Sequence, residues 1–260
     1  MDLQLRGKVA VVTGASRGIG RAIAQRLAAE GMPVLLAARS LDALEELARD
    51  IESAGGSAAP VAADLREPGT PETLVRLALE RFSRIDLVVN NAGATKRGDF
   101  LTLTDDDWAD GYALKFFGSM RLCRAAWPHL VQTRGSIVNI AGVGGRTGSA
   151  EFTIGGSVNA ALLNFTKSLA DRGVKEGVRV NAINPGYIRT GRLTIRIDRM
   201  AAERGVDKEQ AGRLIAQESG IARFGEPEEI ADAVAFLASQ RAAYLQGSII
   251  DIDGGLTRTL

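Results

Sequence analysis

Gly14, Gly18 and Gly20 stand in the run VAVVTGASRGIG (residues 9–20) at G-x-x-x-G-x-G spacing. Glycine has no Cβ, so a backbone built from it turns tightly and brings its N–H groups close to a bound anion. Between an apolar strand and a helix, such a turn aims the positive helix end at a pyrophosphate. Gly14, Ser16, Arg17, Gly18, Ile19 and Gly20 are therefore the expected cradle of a dinucleotide. A lone glycine triplet is a weak signal and also fits a turn without a ligand; the flanking strand and helix give this one its weight.

Charge then selects the nucleotide. A site that prefers a free ribose 2′-hydroxyl places an acidic residue at the end of the second strand. Here that end reads Ala38-Arg39, with Arg17 inside the glycine turn. Two guanidiniums suit a 2′-phosphate through charge-assisted hydrogen bonds, so the expected cofactor is NADP(H) rather than NAD(H).

These residues need a parallel sheet to position them. Short, nearly continuous apolar runs at 9–13, 34–38, 59–63, 87–90, 136–140, 179–184 and 248–251 read as strands covered on both faces. Helical patterns lie between them at 41–54, 71–82, 105–131, 158–173 and 227–237. Thr70-Pro71 reads as an N-cap followed by proline at the first helical position, and Gly55-Gly56 as a helix end. The alternation predicts an α/β fold, a single doubly wound Rossmann domain spanning 1–260. Residues 191–221 depart from it as a charged helical insertion beyond the sixth strand. Ligands bind beyond the carboxyl ends of such strands, so the insertion is read as a substrate lid or as a surface-covering helical pair.

Composition narrows the classes of partner. Basic and acidic residues nearly cancel, at 32 and 31, which leaves no field for a nucleic acid. No apolar run is long enough to span a membrane, and the N-terminal residues MDLQLRGKVA contain no signal-like apolar stretch. Cys123 is the sole cysteine and His129 the sole histidine, which excludes an intrachain disulfide and a Cys/His zinc cluster. A cytoplasmic protein with a small-molecule substrate and no metal is expected.

TGASRGIG (13–20), Asp64, NNAG (90–93), PGYIRT (185–190) and the ending RFGEPEEIADAVAFLAS followed by GSIIDIDGG occur in one order along the chain. In this the chain resembles the short-chain dehydrogenase/reductase family over essentially its whole length. The resemblance implies a seven-stranded parallel sheet of order 3-2-1-4-5-6-7 and assembly as a homotetramer or homodimer. It also implies cofactor contacts from Asp64 to adenine, from Asn91, Gly93, Pro185 and Gly186, and from Thr190 to the nicotinamide amide.

The family's reduction chemistry uses a tyrosine as acid, a lysine four residues later, a serine and an asparagine. Aligned on the FTKSLA segment (165–170), those positions here hold Gly155 and Asn159; aligned on GSIVNIAG and on the helix after strand four, they hold Gly142 and Lys115. Tyrosines occur only at 112, 187 and 244, so no small shift restores the pair. The resemblance therefore implies an altered reaction centre.

Lys115 is the expected replacement, as an ammonium that stabilises a developing oxyanion, binds an anion, or loses its proton by desolvation and acts as base or nucleophile. An exposed lysine displaced by one turn is the plainer alternative. Tyr187 follows Pro185-Gly186 and is either an acid facing the substrate or an aromatic packed under the lid. Tyr112 pairs with Lys115 at helical spacing or belongs to the core. Glu151 is expected beside the cleft, and Asn159 is expected to keep a contact with the nicotinamide ribose. Gly142, Gly155 and Gly156 predict a widened pocket. The readings left open are an NADP(H)-dependent oxidoreductase acting on a carbonyl or alcohol, a non-redox lyase, aldolase or isomerase using Lys115, and a non-catalytic NADP(H) sensor or scaffold.

Overall fold

The computed structural model describes residues 2–258. Its strands β1 (Ala10–Thr13), β2 (Val34–Ala38), β3 (Ala58–Ala62), β4 (Leu87–Asn90), β5 (Ser136–Ile140), β6 (Arg179–Pro185) and β7 (Ile249–Ile252) form one sheet. The strand order is β3-β2-β1-β4-β5-β6-β7, parallel throughout, as expected. Succession runs outward from β1 in one direction and from β4 in the other, so the cleft opens where the order reverses.

Each strand divides its side chains between two cores. Ala10 and Val12 of β1 pack with α1 (Gly18–Ala29), α2 (Leu41–Ser53) and α9 (Pro227–Ala238). Val11 points the other way, into the core shared with α3 (Thr70–Phe82), α5 (Gly118–Thr133) and α6 (Thr153–Glu176). Burial on both faces explains why the strands read as unbroken apolar runs rather than alternating ones.

Strand and helix ends differ from expectation by small shifts with identifiable causes. Val9 lies outside β1 because its N–H donates to the Asp86 carboxylate at 2.8 Å rather than to a neighbouring strand. Thr70 is not the cap of α3 but its first residue; Gly69 caps it, and Pro71 still falls where a missing N–H costs nothing.

A larger departure concerns 105–131, expected as one helix. It forms α4 (Asp105–Tyr112), a π turn at Ala113–Phe117, and α5. Thr104 and Asp107 close a capping box at its start. A π turn inserts extra backbone and rotates the helix beyond it, and such turns gather at functional sites. This one carries Lys115 beside the core residue Leu114.

The insertion forms α7 (Gly191–Arg204) and α8 (Lys208–Ser219). Gly205 ends α7 at φ +64, a conformation that favours glycine, and the Asp207 side chain caps α8. The pair has its own small core of Leu193, Ile215, Ile221 and Phe224. Among the described residues no helix is long and apolar enough to cross a membrane.

Candidate active site

The glycine turn is packed against backbone. A Cβ on Gly20 would lie 2.1 Å from the Gly14 carbonyl oxygen, and one on Gly14 would lie 2.9 Å from Ala92 Cα. Gly14 and Gly18 also adopt φ +66 and +54, where other residues are strained. Thr13 Oγ1 donates to Val89 O at 3.2 Å and accepts from the N–H groups of Asn91 and Ala92 at 3.0 and 3.1 Å. Asn91 Nδ2 returns to the carbonyls of Thr13 and Gly14, both at 3.1 Å. The NNAG loop and the glycine turn are thereby one rigid unit.

Around that unit stand the other residues expected to hold a nucleotide. Arg17, in extended conformation, caps α1 without a side-chain bond, which leaves the first-turn N–H groups for an anion. Ser16 is half-buried beside it and Ile19 packs on the first core. Thr190 closes over the turn, its methyl 3.1 Å from where a Gly18 Cβ would stand. Pro185 ends β6, and the Gly186 N–H donates to Ile252 O at 3.0 Å. Arg39 is exposed at the end of β2. Asp64 is partly occupied, accepting from the Arg66 backbone N–H at 3.0 Å and pairing with its guanidinium at 3.1 Å.

Lys115 and Asn159 meet at the other side of the cleft. Lys115 Nζ donates to Asn159 Oδ1 at 2.5 Å and to the Ala141 carbonyl, at the end of β5, at 2.6 Å. Its methylene stem lies along Gly93, where a Cβ would come within 2.9 Å of Cδ. Asn159 is only 3% exposed on α6. Burial, helped by repulsion from Arg192, pulls the Lys115 ammonium down from 10.5 to about 7. Among the described residues no carboxylate contacts it to oppose that fall. At neutral pH the group therefore exchanges readily between ammonium and amine.

The widened pocket expected from Gly155 is not a void. A Cβ on Gly155 would lie 2.0 Å from Phe152 Cζ, because the Phe152 ring fills that space. The same ring lies 2.9 Å from a Gly144 Cβ. The space at Gly155 is thus occupied by a neighbouring side chain. Gly142 adopts φ +143, and a Cβ there would stand 3.1 Å from Asn159 Nδ2.

Other expected groups separate. The Tyr187 ring packs edge-on to Phe224, centroids 6.4 Å apart, under the α7–α8 pair. Tyr112 meets Phe116 edge-on in an aromatic cluster that includes Phe165. Glu151 is exposed at the rim, 3.8 Å from Arg199. Sequence reasoning passed over Phe152, Arg97, Arg192 and Arg196. Arg97 stacks on Phe152 at 4.0 Å, Arg196 lies over Tyr187 at 4.8 Å, and Arg192 donates to the Gly93 carbonyl. The i, i+4 spacing of Arg192 and Arg196 was the one available signal; nothing in the sequence marked Phe152.

Residues 14–257 match the model of the family described as Enoyl-(Acyl carrier protein) reductase. The chain is 37% identical over 248 residues to the short-chain reductase protein NovJ of Streptomyces niveus, covering 95% of this chain and 93% of that one. It is 33% identical over 255 residues to the 3-oxoacyl-[acyl-carrier-protein] reductase FabG of Vibrio cholerae, covering 98% and 99%. This chain belongs to the short-chain dehydrogenase/reductase family.

Solved members share the whole architecture. The L-sorbose reductase of Gluconobacter frateurii, complexed with NADPH and L-sorbose, superposes with a TM-score of 0.96 at 35% identity, over 100% of both chains. A variant of the actinorhodin polyketide ketoreductase with NADPH gives 0.92 at 31% identity, over 97% of this chain and 98% of that one. As a short-chain dehydrogenase/reductase, the chain carries the glycine turn and the NNAG loop within the matched span.

Proposed function

We propose that this chain is an NADP(H)-dependent oxidoreductase that interconverts a carbonyl compound and its alcohol, with Lys115 as the proton-transferring group. The observation that carries the reading is the 2.5 Å contact between Lys115 Nζ and Asn159 Oδ1. By resemblance, the family keeps an amide at position 115 and an ammonium at position 159. Here the two types are exchanged between helices and meet tip to tip, so the charge is retained while its support changes.

In this reading each residue has a role. NADP(H), when bound, supplies or accepts the hydride. Gly14, Gly18 and Gly20 with the first-turn N–H groups of α1 hold the pyrophosphate, and Arg17 and Arg39 take the 2′-phosphate. Asp64, Asn91, Gly93, Pro185, Gly186 and Thr190 line the remaining nucleotide surface, and Asn159 reaches toward the ribose. An ammonium has three N–H donors, of which Ala141 O and Asn159 Oδ1 occupy two. The third is free to polarise a substrate carbonyl and to pass its proton to the developing alkoxide. Asn159 orients that ammonium, and the part played by the family's tyrosine falls to Lys115. Glu151 and Tyr187 border the substrate end beneath the 191–221 lid. Assembly as a homodimer or homotetramer belongs to the same reading.

Calorimetric titration with NADPH and NADH tests the first half: tight binding with an NADPH preference is expected, and binding of neither cofactor would sink it. Transfer of label from the 4-position of NADPH to product tests the second. The fall of Lys115 to about 7 also favours amine chemistry of the lyase or aldolase kind. Borohydride trapping of substrate carbon on Lys115, without label transfer from NADPH, would favour that route instead.

A further inference from the structure

Among the described residues the substrate end of the cleft carries more positive than negative charge, with Glu151 the carboxylate that acts on Arg97. Arg97 leaves the loop after β4 and lies on the Phe152 ring at 4.0 Å; Arg196 of α7 lies over the Tyr187 ring at 4.8 Å. Among the described residues neither has a carboxylate at salt-bridge distance, although their neighbours Arg189 and Arg199 do, in Glu226 and Glu151. Desolvation first, and then repulsion from Arg196, lowers the proton affinity of Arg97, and Tyr187 and Glu151 offset this only in part. Guanidiniums nonetheless stay charged, so the repulsion persists until an anion offsets it.

Stacking matters here because of what it leaves free. A guanidinium held by its face against an aromatic ring keeps its in-plane N–H donors available. Arg97 and Arg196 are thus held in position while their hydrogen-bonding edges remain unused by carboxylates. Arg192 differs: it donates to the Gly93 carbonyl and feels the charge of Arg17, on the nucleotide side. It also acts on both Lys115 and Arg97, so all these cations share one cleft.

We infer that Arg97 and Arg196 form a binding site for an anionic group, carboxylate or phosphate, carried by the carbonyl substrate. The inference rests on the oxidoreductase reading for the word substrate, but the anion site itself stands on the arginine geometry. Phe152 is a positioning residue in it: the ring that fills the space at Gly155 also supports Arg97.

The test uses matched probes on the full chain saturated with NADP+, which cannot reduce them. Acetoacetate is compared with methyl acetoacetate, and dihydroxyacetone phosphate with dihydroxyacetone, by calorimetry. At least one anion should bind about tenfold more tightly than its neutral partner, and which pair shows the difference identifies carboxylate or phosphate. Arg97→Gln/Arg196→Gln should erase that preference while NADP+ affinity stays unchanged, which also reports correct folding. Phe152→Leu, which keeps bulk but removes the ring face, should reduce it. Equal binding of charged and neutral partners, no binding of either anion, or a preference surviving in the double variant overturns the proposal. Repeating the titrations without cofactor separates the two readings, because failure to bind NADP+ with a retained anion preference would count only against the oxidoreductase.

Discussion

The glycine turn at residues 13–20 and the floor around Lys115 face one cleft, yet the tightest contacts at Gly14 and Gly20 are with backbone and those at Gly155, Gly142 and Gly93 with side chains. A Cβ added to Gly20 would strike the Gly14 carbonyl, and one added to Gly14 would strike Ala92 Cα. At three glycines around Lys115 the limiting neighbours are side chains: Phe152 at Gly155, Asn159 at Gly142 and the Lys115 stem at Gly93. Side chains rotate and can be exchanged in sets, whereas a backbone carbonyl moves only with its strand. On the proposed reading, the surface that holds a nucleotide is kept while the groups that move protons are redistributed.

The sharpest break of that comparison is Lys115→Met. Turnover should fall by about 10³-fold, the usual scale of a lost general acid. Folding stability should change little, because relief of the ammonium's desolvation is offset by the donor lost to Asn159 Oδ1 and Ala141 O. A variant that keeps near-normal turnover would remove Lys115 from the chemistry. On the proposed reading the ammonium is the form that donates a proton in reduction. Carbonyl reduction should therefore decline about tenfold per pH unit above about 7, with alcohol oxidation showing the opposite trend. Stability has its own sign. The unfolded lysine holds its proton to about 10.5 and the folded one only to about 7, so this group makes stability rise with pH between those values. A rate profile flat across neutral pH would contradict the assignment.

Gly20→Val reverses the pattern. It should cost about 3 kcal/mol in denaturant unfolding, since the Gly14 carbonyl cannot withdraw, and it should weaken NADPH and NADH alike. Recovery of normal binding would mean that the turn opens more easily than its packing implies.

Much of this contrast was legible before the structure, for a physical reason. Glycine spacing, unbroken apolar runs and the Asn-Asn-Ala-Gly loop are local signals of backbone conformation, and backbone conformation fixed the sheet and the turn. The identities of Lys115 and Asn159 were equally plain, but their contact depends on a π turn that a continuous helical pattern conceals. Phe152 was invisible because its role comes from its ring crossing to Gly155, while Gly155 by itself reads as empty space. Arg196 was lost among the many arginines of 191–221, most of which make ordinary surface ion pairs.

Gly155→Tyr probes the exchange of side chains directly. With the Phe152 ring in place, the added side chain should destabilise the protein by about 2 kcal/mol. In the double variant Phe152→Ala/Gly155→Tyr, removal of the ring should relieve at least about 1 kcal/mol of that cost, measured as a coupling energy in a double-mutant cycle. Strict additivity would mean that the strain lies in the backbone, and the contrast between the two regions would lose its basis.

The smallest effect is expected from Arg39→Ala. Arg39 and Arg17 are both exposed, so their attraction for a 2′-phosphate is moderated by solvent and salt. Loss of one guanidinium should weaken NADPH by about tenfold and leave NADH unchanged, because only NADPH carries the extra phosphate. The difference should shrink as ionic strength is raised. Gly20→Val penalises both nucleotides through the shared pyrophosphate, whereas Arg39→Ala penalises one through a single side chain. Titration of the two variants with both cofactors thus separates what the backbone contributes from what the side chains select. Equal weakening of NADH and NADPH by Arg39→Ala would assign Arg39 to the common part of the nucleotide and leave Arg17 as the residue that reads the phosphate.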